Sequence, residues 1–300
     1  MKAILKKNAS ARRAIHRFRR SKQCGAELLS KNGLHTALSA NFVKPEKYIW
    51  LHWSDSKNFG DDLSRILCED ISGRMVINSR ITPNLFSRTV YSGIGSVLQW
   101  PQASPMEIWG SGFIYGHAEL LYRPQKVHCV RGALTRDILV NQGFNCPKLY
   151  GDPAAIFFDR YADRNRTNRY KIGLIPHYAD KNHKVIKELC SDDRVKLIDV
   201  FDSAELIVRQ SLECELIASS SLHGLILADT LGIPNYWLRL NGEVVKDGFK
   251  FYDYFSSVQR IEEDSNLNDR VDINSIIRLA HLRRTALNLE DILDVCPFRN

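Results

Sequence analysis

From about residue 42 the chain alternates short apolar runs with segments whose apolar residues recur at helical spacing, and this alternation limits the fold more than any other feature. Tyr48-Ile-Trp-Leu-His-Trp53 reads as a buried strand, and Asp61 to Ile71 carries apolar residues at 63, 66, 67 and 71, one face of a helix. Strand-like runs follow at 74–77, 88–92, 106–109 and 127–130, and a helix from Ala133 to Gln142 stops at Gly143. The polar stretch 159–169 (DRYADRNRTNR) reads as a linker. Beyond it come strands at 171–175, 195–200, 215–219 and 234–238, separated by helices near 182–190, 203–213 and 222–231. Residues 272–294 read as helical and as packing back on the first half. Strands alternating with helices build parallel sheets through right-handed crossovers. The expectation is an α/β protein of two Rossmann-like domains facing a central cleft. Residues 31–160 would form the first domain and 161–300 the second, which includes a C-terminal helix.

Charge is spread unevenly along this framework. The 300 residues hold 42 Lys and Arg against 34 Asp and Glu, a net of +8. Nine of those cations (Lys2, Lys6, Lys7, Arg12, Arg13, Arg17, Arg19, Arg20 and Lys22) fall within residues 1–22, where there is no acid. The remaining 33 cations face 34 acids, so the body is close to neutral. It also lacks the interleaved basic and aromatic residues of a nucleic-acid surface, and no nucleic-acid partner is expected. Residues 1–30 read as a basic tail in which Leu5, Ala11, Ile15 and Phe18 share one helical face. That pattern suits either a helix lying on anionic membrane or a solvated terminus. The tail lacks the apolar run of a secretory signal, and no segment approaches the roughly 18 apolar residues of a membrane span. The seven cysteines lie no closer than 17 residues to one another, which suggests neither a zinc site nor a disulfide framework. They read as small core residues in a reducing, cytoplasmic compartment.

Ligands of open α/β sheets bind beyond the carboxyl ends of the strands, so the strand-to-helix turns are where chemistry is expected. The first is Asn58-Phe-Gly60-Asp61-Asp62, which read alone is an ordinary capping turn. Gly93-Ile-Gly95-Ser96 and Gly110-Ser111-Gly112 place paired glycines after strands, where backbone N–H groups can approach an anion or a sugar. Neither completes a dinucleotide or P-loop motif. Val130-Arg131-Gly132-Ala133-Leu134-Thr135-Arg136 would set Arg131 at the cleft rim, suited to a carboxylate or phosphate, with Arg136 an ion-pairing residue. Asp152, in Tyr150-Gly-Asp-Pro-Ala154, reads as a turn-fixing or capping residue. The sharpest turn is Ser219-Ser220-Ser221-Leu222-His223-Gly224. There a helix N-terminus offers hydroxyls and a favourable dipole, and His223 could act as general acid or base. The aromatic cluster Phe249, Phe251, Tyr252, Tyr254 and Phe255 reads as core packing ahead of sugar stacking.

Taken in order, five segments resemble the polysaccharide pyruvyltransferase family, especially its bacterial exopolysaccharide ketal-pyruvate members. They are Asn58–Leu63, Gly110–Gly112, Val130–Arg136, Gly151–Ala154, and Ser219–Ile226 with Ala228–Pro234. The resemblance covers roughly residues 45–260. It implies a fold similar to two-domain (GT-B) glycosyltransferases. It also implies phosphoenolpyruvate as donor, a hexose diol of an exopolysaccharide or lipid-linked repeat unit as acceptor, a cyclic 4,6-ketal as product, and phosphate release. By the same resemblance His223 is the family's essential histidine and Arg131 its anion-binding arginine, and the two are expected to be the catalytic residues. Asn58, Gly60, Asp61, Gly110, Ser111, Gly112, Ser219, Ser220 and Ser221 are the substrate-binding set. Some relatives carry a basic residue where this chain has Ser221, so the donor phosphate must be held differently here. No acidic cluster calls for a metal, no resident cofactor is expected, and the enzyme would work in the cytoplasm, at the inner face of the membrane if the tail binds lipid. Two rival readings stay open: a sugar-nucleotide glycosyltransferase in which Asp229 binds a ribose, and a non-catalytic nucleic-acid or carbohydrate-binding protein.

Overall fold

A computed structural model describes residues 31–56, 58–240, 247–261, 271–282 and 287–299, so the helix expected within the basic tail lies outside the described residues. The chain enters through α1 (Lys31–Leu38), a π-helical turn (Ser39–Val43) and a short 3-10 turn (Pro45–Lys47). The first half then alternates β1 (Tyr48–Leu51), α2 (Phe59–Ser72), β2 (Met75–Asn78), β3 (Val90–Ser92), β4 (Met106–Trp109), β5 (Lys126–Cys129), α3 (Ala133–Asn141) and α4 (Ala154–Asp159). The second half follows with β6 (Tyr170–Ile175), α5 (Lys184–Leu189), β7 (Val195–Leu197), α6 (Ala204–Leu212), β8 (Cys214–Ser219), α7 (Leu222–Thr230), β9 (Asn235–Trp237), α8 (Phe249–Ser257), α9 (Ile273–Leu279) and α10 (Leu289–Asp294). Local signals account for many of these boundaries. Asn58 caps α2 by accepting the Asp61 N–H at 3.1 Å, and Gly73 closes that helix in the left-handed region at φ 63°.

The five strands of the first half form one parallel sheet in the order β2-β1-β3-β4-β5, and those of the second form another in the order β7-β6-β8-β9. In each sheet the first strand lies between the second and third, so the chain reverses its direction of growth between β1 and β3 and again between β6 and β8. Such switch points leave a crevice at the carboxyl ends of the flanking strands. Ile172, Leu174 and Ile175 of β6 are all buried, as expected of a strand covered on both faces.

The halves do not simply face one another across open space. One apolar cluster draws Leu63, Leu67 and Phe158 from the first half and Ile207, Leu225 and Phe255 from the second. Helix α4 packs on α7, and the Phe59 N–H donates to the Val200 carbonyl at 2.8 Å. The polar segment 159–169 therefore joins two packed bodies. The stretch 272–294 contains two helices, α9 and α10, and the second returns to the first half as expected. There the Trp109 indole donates to the Ile292 carbonyl at 2.7 Å, and Phe298 meets Tyr91 and Trp109 edge-on, both at 5.3 Å. Five of the six described cysteines are buried and all six are free thiols.

Helix α8 is clamped to the first half by a buried charge pair. Arg131 and Asp253 are both fully buried, with Nε to Oδ2 at 2.9 Å. The guanidinium also donates to Ser96 Oγ and the Phe113 carbonyl, each at 2.6 Å. Asp253 in turn accepts from the Thr135 N–H and hydroxyl, each at 2.7 Å. Truncating one partner leaves the other charge buried and unpaired, which costs about 3–5 kcal/mol. Asp253→Ala is therefore expected to lower the unfolding free energy by that amount, read from urea denaturation. A loss below about 1 kcal/mol would show that water, not Asp253, satisfies Arg131.

Candidate functional site

The carboxyl ends of β1 and β3 from one sheet and β6 and β8 from the other converge, and they bring together residues that are far apart in sequence. The turn after β1 presents Asn58, Gly60 and Asp61, and the segment after β6 presents His177, Tyr178 and Asp180. The turn after β8 leads into α7 with His223, while α8 contributes Lys250.

His223, in the first turn of α7, points across to the other half. A β-carbon on Gly60 would lie 2.0 Å from its Nδ1, so only glycine lets α2 approach the imidazole this closely. The opposite ring nitrogen, Nε2, lies 4.0 Å from Asp152 Oδ2. Neither atom has a hydrogen-bond partner, although both are buried. Asp152 does cap, as read from its motif, because its Oδ1 accepts the Ala154 N–H at 3.0 Å. Its second oxygen is left for the histidine. Only 11% of the His223 side chain is exposed, with Nε2 buried toward Asp152 and the backbone of Gly60 packed against the Nδ1 side of the ring. At that separation the carboxyl faces the imidazole without a hydrogen bond, and it is the acidic group set closest to Nε2.

Burial shapes the charges here. Desolvation, then Lys250 and Arg131, push His223 down to about 3, and the ring is neutral near pH 7. His177 is lowered to about 3 by burial, Lys250 and His223. Asp152 is raised to about 6, chiefly by burial. Asp61 is raised by burial against hydrogen bonds from Ser56, Asn58 and Ser54. Asp180, almost fully buried with an unpartnered Oδ2, is raised for the same reason. Lys250 is brought down to about 8 by burial and Arg131, against the pull of Asp61 and Asp180. A half-buried ammonium among two neutral imidazoles and hydrogen-bonded carboxyls is suited to receive an anion.

Several expected residues have other work. Arg131 was expected at the cleft rim but is fully buried, and its guanidinium is occupied by Asp253, Ser96 and Phe113. It acts on the site through its charge and by holding α8. Gly110, Ser111 and Gly112 line no opening. Ser111 is buried and bonded to Ser92 and Gly93, the Gly110 N–H donates to Cys129 and that of Gly112 to Gly95, and Gly112 makes room for Arg131. Ser219 and Ser220 are also buried: Ser219 Oγ accepts the Ser221 N–H and lies 2.8 Å from the Ile175 carbonyl, while Ser220 Oγ accepts the His177 N–H at 3.0 Å. Ser221 is the N-cap of α7 and makes no side-chain capping bond. Asp229 cannot receive a ribose, because Asn235 and the Tyr254 hydroxyl occupy it at 2.6 and 3.0 Å. Arg136 donates to the Cys146 carbonyl at 3.1 Å and lies 3.9 Å from Asp137.

Lys250, His177 and Asp180 were missed because no local pattern marks them. Lys250 sits in an aromatic stretch whose rings build the core, with Phe251, Tyr254 and Phe255 buried as expected. Among the described residues no group of three or more His, Cys, Asp or Glu is arranged to hold a metal ion, and none of the helices is long and apolar enough to cross a membrane.

Comparison with known proteins gives three matches. The family of polysaccharide pyruvyl transferases matches residues 108–241. The uncharacterized protein L143 of Acanthamoeba polyphaga mimivirus is 32% identical over 228 residues, covering 73% of this chain and 77% of that protein. The succinoglycan biosynthesis protein ExoV of Rhizobium meliloti (strain 1021) is 28% identical over 218 residues, covering 71% of this chain and 64% of that one. No solved structure matches the chain.

The Asp152 carboxyl is raised above its unfolded value of 3.8, so the folded state binds the extra proton between about pH 4 and 6 and loses stability as pH rises through that window. Asp152→Asn keeps the cap and removes the buried charge. The variant is expected to be roughly 1–3 kcal/mol more stable than the parent above pH 7 and equal to it near pH 4. Thermal melts across that range check this, and a pH-independent difference would contradict it.

Proposed function

Because the chain belongs to the polysaccharide pyruvyl transferase family, we propose that it moves the pyruvyl group of phosphoenolpyruvate onto two hydroxyls of a hexose, O4 and O6, in an exopolysaccharide or lipid-linked repeat unit. The observation that carries this reading is the group formed by Asp152, His223 and Lys250 where the two sheets meet. Lys250 takes the anionic donor, supplying the cation that relatives carry just before their Leu-His pair, with the uncapped N-terminus of α7 favouring the same charge. The half-buried Asp61, with Asn58 beside it, lies across from Lys250 and suits the acceptor's hydroxyls.

The reaction needs two additions at C2 of the enol and the loss of one phosphate. The neutral His223 imidazole accepts a proton from the first hydroxyl as that oxygen bonds to C2. The enol CH2 gains a proton and becomes the methyl group. Phosphate departs, and the second hydroxyl closes the ring. Of the two protons the diol gives up, one ends in the methyl group and the other leaves with hydrogen phosphate, so atoms and charge balance. General-base help of this kind is typically worth about 10²–10⁴-fold. A neutral histidine is the form the step requires. Binding the donor also raises the basicity of His223, because the donor's negative charge offsets the Lys250 charge that holds it down. The twin parallel sheets fit a GT-B-like two-domain arrangement, and the free thiols fit the cytoplasm.

Phosphate release from phosphoenolpyruvate with a lipid-linked oligosaccharide pool is the deciding assay. The parent should release phosphate only when acceptor is present, and His223→Ala should lose about 10²-fold or more in kcat. Lys250→Met should instead raise the donor KM by at least about tenfold. Consumption of a sugar nucleotide with no phosphate release from phosphoenolpyruvate would replace this reading with a glycosyltransferase.

The same groups set a pH profile. Activity should climb as Asp152 ionises through about 6 and fall as Lys250 loses its proton through about 8. In Asp152→Asn the acid limb should vanish and kcat should drop throughout, because the carboxylate that faces Nε2 is gone. An acid limb that persisted in this variant would assign the ionisation to another group.

A further inference from the structure

On the surface where the described chain begins, Leu38, Phe42, Val43, Leu85 and Phe86 are each 48–67% exposed. They come from the end of α1, the π-helical turn and the loop before β3, two segments more than 40 residues apart. Phe42 and Phe86 meet edge to face at 5.2 Å. The backbone beneath them is held in place. Asn41, itself buried, donates to the Pro83 carbonyl at 3.1 Å and accepts the Leu85 N–H at 3.0 Å. Arg88 donates to the Asn41 carbonyl at 3.3 Å, and its guanidinium lies 5.7 Å from the Phe86 ring. Two loops are thus locked together in a way that turns their apolar side chains outward. A contiguous exposed apolar patch with a polar border marks an interaction surface.

The charge around the patch selects the partner. Residues 35–48 and 80–90 carry Lys44, Lys47, Arg80 and Arg88 against the single acid Glu46. Earlier in the sequence, residues 1–22 carry nine cations and no acid. Exposed apolar side chains that insert among headgroups, beside cations such as Lys44 and Arg88, are what an anionic bilayer surface binds, and two such signals are needed for stable attachment. We propose that Leu38, Phe42, Val43, Leu85 and Phe86 form a membrane-insertion patch. It seats this protein on an anionic lipid surface, and the basic segment 1–22 supplies the electrostatic half of the contact. The proposal stands apart from the transfer reaction, since it is tested without substrate.

The test is flotation of the full chain with phosphatidylcholine vesicles, with and without phosphatidylglycerol, at low and high salt. The parent should float only with phosphatidylglycerol present. The double variant Phe42→Ser with Phe86→Ser should partition at least about tenfold more weakly, and its residual binding should disappear at high salt. Both side chains are largely exposed, so its melting temperature should match the parent's. Phe86→Trp gives a second reading that needs no loss of packing: its fluorescence should shift to the blue on phosphatidylglycerol vesicles and be quenched by brominated lipid. Unchanged flotation of the double variant, or a Phe86→Trp signal that brominated lipid leaves untouched, would overturn the proposal. So would a parent that ignores vesicles but self-associates through this face, as shown by the double variant running as a smaller species on sizing.

Discussion

A charge removed from water is tolerated only when its surroundings replace what water supplied, and the Arg131–Asp253 pair meets that condition through partners on several elements. Arg131 ends the strand layer at β5, Ser96 and Phe113 belong to the loops after β3 and β4, and Thr135 opens α3. Asp253 lies on α8, more than 100 residues further along the chain. The pair therefore fixes where α8 crosses the carboxyl edge of the first sheet. Lys250, one turn before Asp253, inherits its position from that constraint. A hydrophobic contact would have let the helix slide; a guanidinium held at all three nitrogens does not.

The site repeats this logic with the opposite intent. Around Arg131 each guanidinium nitrogen has a partner, whereas Asp152 Oδ2, His223 Nε2 and Asp180 Oδ2 are buried without partners. Unmatched buried polar atoms cost stability, and in this group a bound ligand would supply the missing partners. Each half contributes to the arrangement. Gly60 on α2 shapes the space beside the His223 ring, and Asp152 reaches the same ring from the turn before α4. Neither half contains the whole candidate site by itself, so the shared apolar core between them keeps its geometry in register.

Much of the architecture was legible in the chain because hydrophobic periodicity is a local property. The strand and helix order through residue 237 follows the apolar pattern closely. His223 was legible too, through a turn that combines serines, a helix start and a glycine. Arg131 was misplaced because a cation after a strand looks the same in sequence whether it faces out or in, and its direction depends on an aspartate 122 positions away. The serines 219 and 220 and the Gly110–Gly112 turn were assigned to ligand binding on similar grounds, yet their hydrogen bonds go to neighbouring backbone and loops. Lys250 was hidden for the converse reason: a lysine among aromatics reads as the solvent side of a core helix until its neighbours from other elements are in place.

The return of residues 289–298 bears on how the molecule is made. Ile292, Cys296 and Phe298 fill the core beside Trp109 of a sheet whose last strand ends at Cys129. On a ribosome the first half emerges with that face unsealed and waits while the entire second half is synthesised. The halves cannot mature one after the other as independent units. Closure of the first core is instead a late step that joins distant parts of the chain, and such contacts are slow to form. Until it happens, the uncovered Trp109 face is the surface on which a nascent chain would be held by a chaperone or lost to aggregation.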